Sequence, residues 1–196
     1  DSMTNATIVN LVQNNDLVGA KTALENGAAV NATDGQKNSL LLIATRNSFT
    51  EMAKLLVSFK ADVNQQSTNL DSAFLYAGAS GQTELVELYL ANGARFDVFN
   101  RYYGSALIPA CERGHIETVR LLANTKNYPI NHVNKLGWTA LMEAIVLGDG
   151  SDKFQQIIEI LKKAGAKMNI PDHDGITPIQ HAKSRGFNEI VKILSS

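Results

Sequence analysis

Five short apolar stretches recur along the chain, each with a hydroxyl residue near its start and an alanine at its end. They are KNSLLLIA (37–44), LDSAFLYA (70–77), YGSALIPA (103–110), GWTALMEA (137–144) and GITPIQHA (175–182). The closing alanines are spaced by 33, 33, 34 and 38 residues. Four residues past each alanine comes Ser48, Gly81, Gly114, Gly148 or Gly186, a natural place for a helix to stop. A second set follows: TEMAKLLV (50–57), TELVELYL (83–90), IETVRLLA (116–123), QQIIEILK (155–162) and NEIVKILS (188–195). Their apolar residues fall at i, i+3 and i+4, which predicts a helix with one buried stripe. Turn-like phrases close the units that continue: FKADVN (59–64), NGARFD (92–97), YPINHVN (128–134) and KAGAKMN (163–169).

Each unit is therefore predicted to be a short helix, a tight turn, a second helix and an extended loop. Ser or Thr at 39, 72, 105, 139 and 177 stands where an N-cap hydroxyl accepts from free backbone N–H groups. Pro178 follows Thr177, in the first turn, where a missing N–H costs nothing. The recurring alanine is small enough to let neighbouring helices approach. No single unit buries two faces, so stability has to come from stacking one unit on the next.

The phrases D-G-I-T-P-I-Q-H-A (174–182), G-F-N-E-I-V-K-I-L (186–194), G-W-T-A-L-M-E-A (137–144) and G-H-I-E-T-V-R-L-L (114–122) resemble the ankyrin repeat, and A-D-V-N (61–64) resembles its inter-repeat turn. The resemblance covers nearly the whole chain. It implies an all-α ankyrin-repeat solenoid of about six helix-turn-helix repeats with short hairpin-like loops. The expected organisation is one domain, residues 1–196, with repeats near 5–35, 36–68, 69–101, 102–135, 136–173 and 174–196. The first and last would act as caps, and Leu11 would stand at the alanine slot of the degenerate first repeat. Repeat two carries Lys37, Ser48 and Lys60 where the pattern has glycine. Repeat four has one extra residue within 124–131, and repeat five about five extra at 148–152, expected as a surface loop. That loop and the ending of the chain look most like bacterial ankyrin repeat proteins.

The resemblance also implies a recognition surface made of hairpin tips and exposed positions on the first helices, the palm of a cupped hand. The tips fall at 33–37, 66–70, 99–103, 134–138 and 172–176. Phe99, Arg101, Tyr102, Tyr103 and Trp138 place aromatic rings and a guanidinium on the tips of repeats four and five. Tyr, Trp and Arg are the residue types most enriched at interface hot spots. Arg46, Tyr76, Arg113 and Glu143 are palm candidates, Arg113 and Glu143 also being placed to form an exposed ion pair worth about 0–1 kcal/mol. Ile43, Asn47, Ser80, Pro109, Leu147, His181 and Arg185 share that face, with His181 expected to be solvated.

Composition narrows the function. An apolar fraction of 44% and an aromatic fraction of 7% supply a real core. A net charge of -1 argues against a dedicated nucleic-acid binder. The two halves differ: residues 1–98 carry 6 basic and 10 acidic side chains, residues 99–196 carry 12 and 9. Cys111 is the only cysteine, in a small-residue slot, and is expected to be a buried thiol. His115 belongs to a helix stop, and the four histidines do not pair at metal-binding spacing. Residues 149–152 lack the ligand pattern of a calcium loop. No phosphate-binding loop or nucleophile elbow occurs.

The expectation is a non-enzymatic module without cofactor, catalytic residue or metal, which binds a protein or peptide on its concave, finger-lined face. The partner would be a protein and not nucleic acid, with no insertion into a membrane, and the chain would be a monomer. The alternative is a structural or protective scaffold, part of a larger protein and without a specific hot spot. No apolar run reaches the roughly 18–20 residues that span a bilayer. A cytoplasmic location is expected, and a signal peptide cleaved before Asp1 would leave no trace.

Overall fold

Helix pairs follow the sequence period closely. The computed structural model describes residues 2–196, with side chains from Asn5 onward. Twelve helices lie among the described residues and no strand does. They pair as α1 (Ser2–Gln13) with α2 (Leu17–Glu25), α3 (Leu40–Arg46) with α4 (Thr50–Ser58), and α5 (Ala73–Ala79) with α6 (Thr83–Leu90). The later pairs are α7 (Leu107–Glu112) with α8 (Ile116–Ala123), α9 (Ala140–Val146) with α10 (Asp152–Lys163), and α11 (Pro178–Ser184) with α12 (Asn188–Ser195).

The chain divides into two compact units within the third helix pair. Unit one comprises residues up to Ala77 together with Glu84–Arg101; unit two comprises Gly78–Thr83 and Tyr102–Ser196. In unit one, α3 and α4 supply Leu40, Leu42, Met52 and Leu56, all fully buried. The Thr45 hydroxyl meets the Tyr89 hydroxyl at 2.7 Å inside this core and donates to Leu41 O. In unit two, Leu107, Leu122, Leu141, Met142, Ile157 and Leu161 form the corresponding core. The five recurring alanines, Ala44, Ala77, Ala110, Ala144 and Ala182, each have 0% exposure, as close helix packing requires.

Four of the five predicted hydroxyl caps form. Ser39, Ser72, Thr139 and Thr177 accept from Leu42, Leu75, Met142 and Gln180 N at 3.0–3.3 Å. Ser105 does not cap. In the other pairs the capping residue's carbonyl takes the first helical bond, as Thr139 O does from Glu143 N at 3.0 Å. The equivalent donor after Ser105 would be residue 109, a proline without an N–H, so α7 starts late and has only six residues. The buried Tyr128 hydroxyl accepts from Leu107 N at 3.1 Å instead.

The repeat-five insertion is also not simply a loop. Relative to α8, α10 begins three residues early, so part of the insertion is helix, and Phe154 is buried on the added turn. The left-handed residue that ends the inter-helix turn is Gly150 (φ 75°), not the expected Gly148. Gly148 is needed for a different reason: a Cβ there would lie 2.2 Å from Ala144 O. Side-chain amides tie successive loops together within each unit. Asn31 Oδ1 accepts from Asp62 N, Asn64 Oδ1 from Arg95 N, and Asn131 Oδ1 from Lys167 N, each at 2.9 Å.

Candidate interaction surface

Three of the five tips, at 33–37, 134–138 and 172–176, are folded by an Asp or Asn side chain at or near their start. Asp34 Oδ1 accepts from Gln36 N and Asn38 N, Asn134 Oδ1 from Leu136 N and Trp138 N, and Asp172 Oδ1 from Asp174 N and Ile176 N. These are Asx turns, in which a short polar side chain satisfies loop donors that no ladder reaches. The first helix of the same repeat then fastens the tip. Asn134 Nδ2 donates to Glu143 Oε2 at 2.8 Å, and Asp172 Oδ2 meets His181 Nε2 at 2.7 Å. Glu143 and His181 occupy equivalent places in successive repeats.

Glu143 is thus not on an exposed palm: it is 5% exposed and buried against α7. Burial pushes its carboxyl up to about 7, the nearby Glu112 carboxylate pushes the same way, and the Asn134 hydrogen bond opposes both. The expected ion pair with Arg113 does not form. Arg113 Nη1 donates to Ala79 O at 3.0 Å, and Arg185 Nη1 donates to Ile145 O at 2.9 Å and to Val146 O. Both guanidinium groups so satisfy carbonyls at the ends of α5 and α9, where positive charge is favourable. His181 is not solvated either. Its bond holds the Asp172 carboxyl below the usual carboxylate range.

In unit one, Arg46 is similarly engaged. Its Nη1 donates to Asn38 Oδ1 at 2.9 Å, its Nη2 pairs with Asp71 at 2.7 Å, and its guanidinium lies 5.8 Å from the Tyr76 ring centre. Phe99 is half-buried and its carbonyl accepts from Gln66 Nε2 at 2.7 Å. Arg101 is exposed. Among the described residues, no three His, Cys, Asp or Glu converge as a metal site. Cys111 is completely buried, which pushes its thiol far above its ordinary value. His115 packs against Gly81, where an added Cβ would meet the imidazole at 2.5 Å.

Unit two brings Tyr102 and Tyr103 to the tip of repeat five. Lys135 N donates to Tyr102 O at 2.9 Å, His132 Nε2 meets Tyr103 O at 2.7 Å, and the Tyr103 and His132 rings lie 4.9 Å apart. Tyr102 is 51%, Tyr103 50% and Leu136 53% exposed. Trp138 is half-buried beneath its own tip, with its backbone fixed by Asn134. Leu136 is the contributor that residue-type reasoning passed over, because a leucine within a tip carries no hot-spot signature by itself.

Tyr103 shares its backbone conformation with the equivalent residues of the other tips. The tip position it occupies is Lys37, Leu70, Tyr103, Gly137 and Gly175 in successive repeats, and every one has a left-handed backbone, with φ from 55° to 82°. Glycine enters this conformation freely, whereas another residue costs roughly 1–2 kcal/mol there. Tyr103, at φ 55°, therefore holds an exposed ring at a place where the fold favours glycine. The sequence signal was the glycine missing at this position in repeats two, three and four, where Lys37, Leu70 and Tyr103 stand in place of the Gly137 and Gly175 of the later repeats.

Comparison with known proteins places this architecture. The family model for ankyrin repeats (three copies) matches residues 8–100 and 74–172. The Escherichia coli ankyrin repeat protein YahD is 34% identical over 183 residues, covering 93% of this chain and 90% of that protein. An ankyrin repeat domain from Acinetobacter baumannii superposes with a TM-score of 0.93 at 45% identity, over 96% of this chain and 95% of that one. A second solved ankyrin repeat protein gives 0.94 at 37% identity, over 97% and 96%. Helix pairing, buried alanines, tip chemistry and these matches agree: the chain belongs to the ankyrin repeat family.

Proposed function

We propose that the chain binds a protein partner through the tips of repeats four and five, with Tyr102, Tyr103 and Leu136 at the centre of the contact. Ankyrin repeats generally serve as protein–protein interaction modules, and the family is generally non-enzymatic. The observation that carries the choice of surface is the joining of Tyr102, Tyr103 and Leu136, each about half exposed, across two successive tips by the Tyr102–Lys135 backbone bond. The tip of repeat five is fastened by the Asn134–Glu143 bond and tied to Tyr102 by the Lys135 backbone bond, so little ordering entropy opposes binding.

Arg113, Glu143 and Arg46 are engaged within the chain and are not part of the proposed contact, Glu143 fastening the tip of repeat five through Asn134. Trp138 contributes one partly covered face. The test is a pull-down from the native source with wild type and with Tyr102, Tyr103 and Trp138 changed to Ala, both checked for an unchanged helical melt. Loss of the specific partner by the triple variant is expected. Its retention would refute this surface.

A further inference from the structure

Resting on the surface just proposed, we infer that its ligand is an acidic peptide segment bearing aromatic or aliphatic side chains. The apolar half of that description follows from Tyr102, Tyr103 and Leu136, three large side chains each about half exposed and joined through the Tyr102–Lys135 backbone bond. Rings and leucine of this size gain most by covering apolar groups of a partner.

The acidic half follows from charge. Over residues 102–105 and 129–138 there is no Asp or Glu, and Lys135 is exposed between Tyr102 and Leu136. Among the described residues no carboxylate pairs with Lys135, in contrast to Arg120, Lys192 and Lys54, which pair with Glu117, Glu189 and Glu84. The carboxylate supplied by α9, Glu143, is buried and turned to Asn134. The groove between α10 and α12, about 730 Å³, shows the contrast: Asp152, Glu159, Glu189, Lys162 and Lys192 line it with both signs. The tips of repeats four and five thus present one sign of charge among apolar side chains. A single lysine among rings suits carboxylates spaced along a peptide, and falls short of the several cations that a nucleic-acid backbone requires.

The experiment selects a phage-displayed library of random dodecapeptides on the full chain, with counter-selection on a Tyr102→Ala, Lys135→Glu double variant. Recovered peptides are expected to be net negative with at least one aromatic or aliphatic residue. A synthetic copy should bind at least tenfold more weakly to Lys135→Glu and to Tyr103→Gly. The latter removes the ring while supplying the residue that a φ of 55° favours, so its melting temperature should hold or rise as binding falls. A neutral or basic pool, no variant-dependent enrichment, or tighter binding of a labelled single-stranded oligonucleotide overturns the inference. If that happens while the triple alanine variant still loses its captured partner, the surface stands and only its acidic preference falls. If partner capture is also unaffected, both readings fall.

Discussion

Replacing Glu143 by Gln should stabilise the protein above neutral pH and leave it nearly unchanged in mild acid. The side chain is 5% exposed, and its carboxyl rises from 4.5 to about 7 through burial, with Glu112 adding to the effect. At about 1.4 kcal/mol per pH unit, keeping it ionised in the folded state costs about 3 kcal/mol. The sign follows from linkage. Below about 4.5 the group is protonated both folded and unfolded, so it contributes no penalty; between 4.5 and 7 the unfolded chain ionises first; above about 7 the full penalty applies. Glutamine keeps an oxygen for Asn134 Nδ2 and removes the charge. Urea unfolding of wild type and Glu143→Gln, at pH values from 5 to 8 and read by circular dichroism and Trp138 fluorescence, gives the difference directly. It should grow with pH to about 3 kcal/mol in favour of the variant. A difference that stays flat across this range would refute the burial argument, and with it the account of how Glu143 holds the tip at 134–138.

Three further outcomes follow from the same structure. Ser48→Gly and Lys60→Gly, at φ 57° and 71°, should each stabilise by about 0.5–1 kcal/mol in thermal melts, whereas Gly81→Ala, at φ 72° and against His115, should destabilise by about 1–3 kcal/mol. Tyr89→Phe deletes the buried 2.7 Å bond to Thr45 and should cost about 1–2 kcal/mol by denaturant titration. Cys111, fully buried with its thiol kept protonated, should react with a thiol reagent only at the rate of opening, so labelling should track unfolding as urea is raised.

Much of this fold is legible in the sequence because its period repeats the same physical demand. Each alanine sits where two helices need closeness, and each is fully buried. Lys37, Ser48 and Lys60 replace glycines, yet their backbones stay left-handed because the repeat's turns dictate the angle. The failures are equally local. Ser105 loses its cap because Pro109 cannot donate, an effect four residues away that a position-by-position alignment does not weigh. The insertion at 148–152 lengthens α10 because Phe154 has apolar surface to cover.

The candidate surface was legible as residue types and less so as roles. A palm position gives the direction of a side chain, but not that Glu143 and His181 turn back to their own tips or that Arg113 and Arg185 reach a preceding helix end. The Glu143 and His181 bonds depend on loop geometry set by Asn134 and Asp172, beyond what helical spacing encodes. Leu136 emerged only with the fold, and the left-handed backbone of Tyr103 was marked in the sequence only by a missing glycine.

The most direct measurement is hydrogen exchange on the full chain, with and without its captured protein partner. Protection should appear at residues 102–103 and 132–138 and leave α8, α10 and α12 unchanged. Protection confined to those second helices, with the tips exchanging as in the free protein, would contradict the proposed surface.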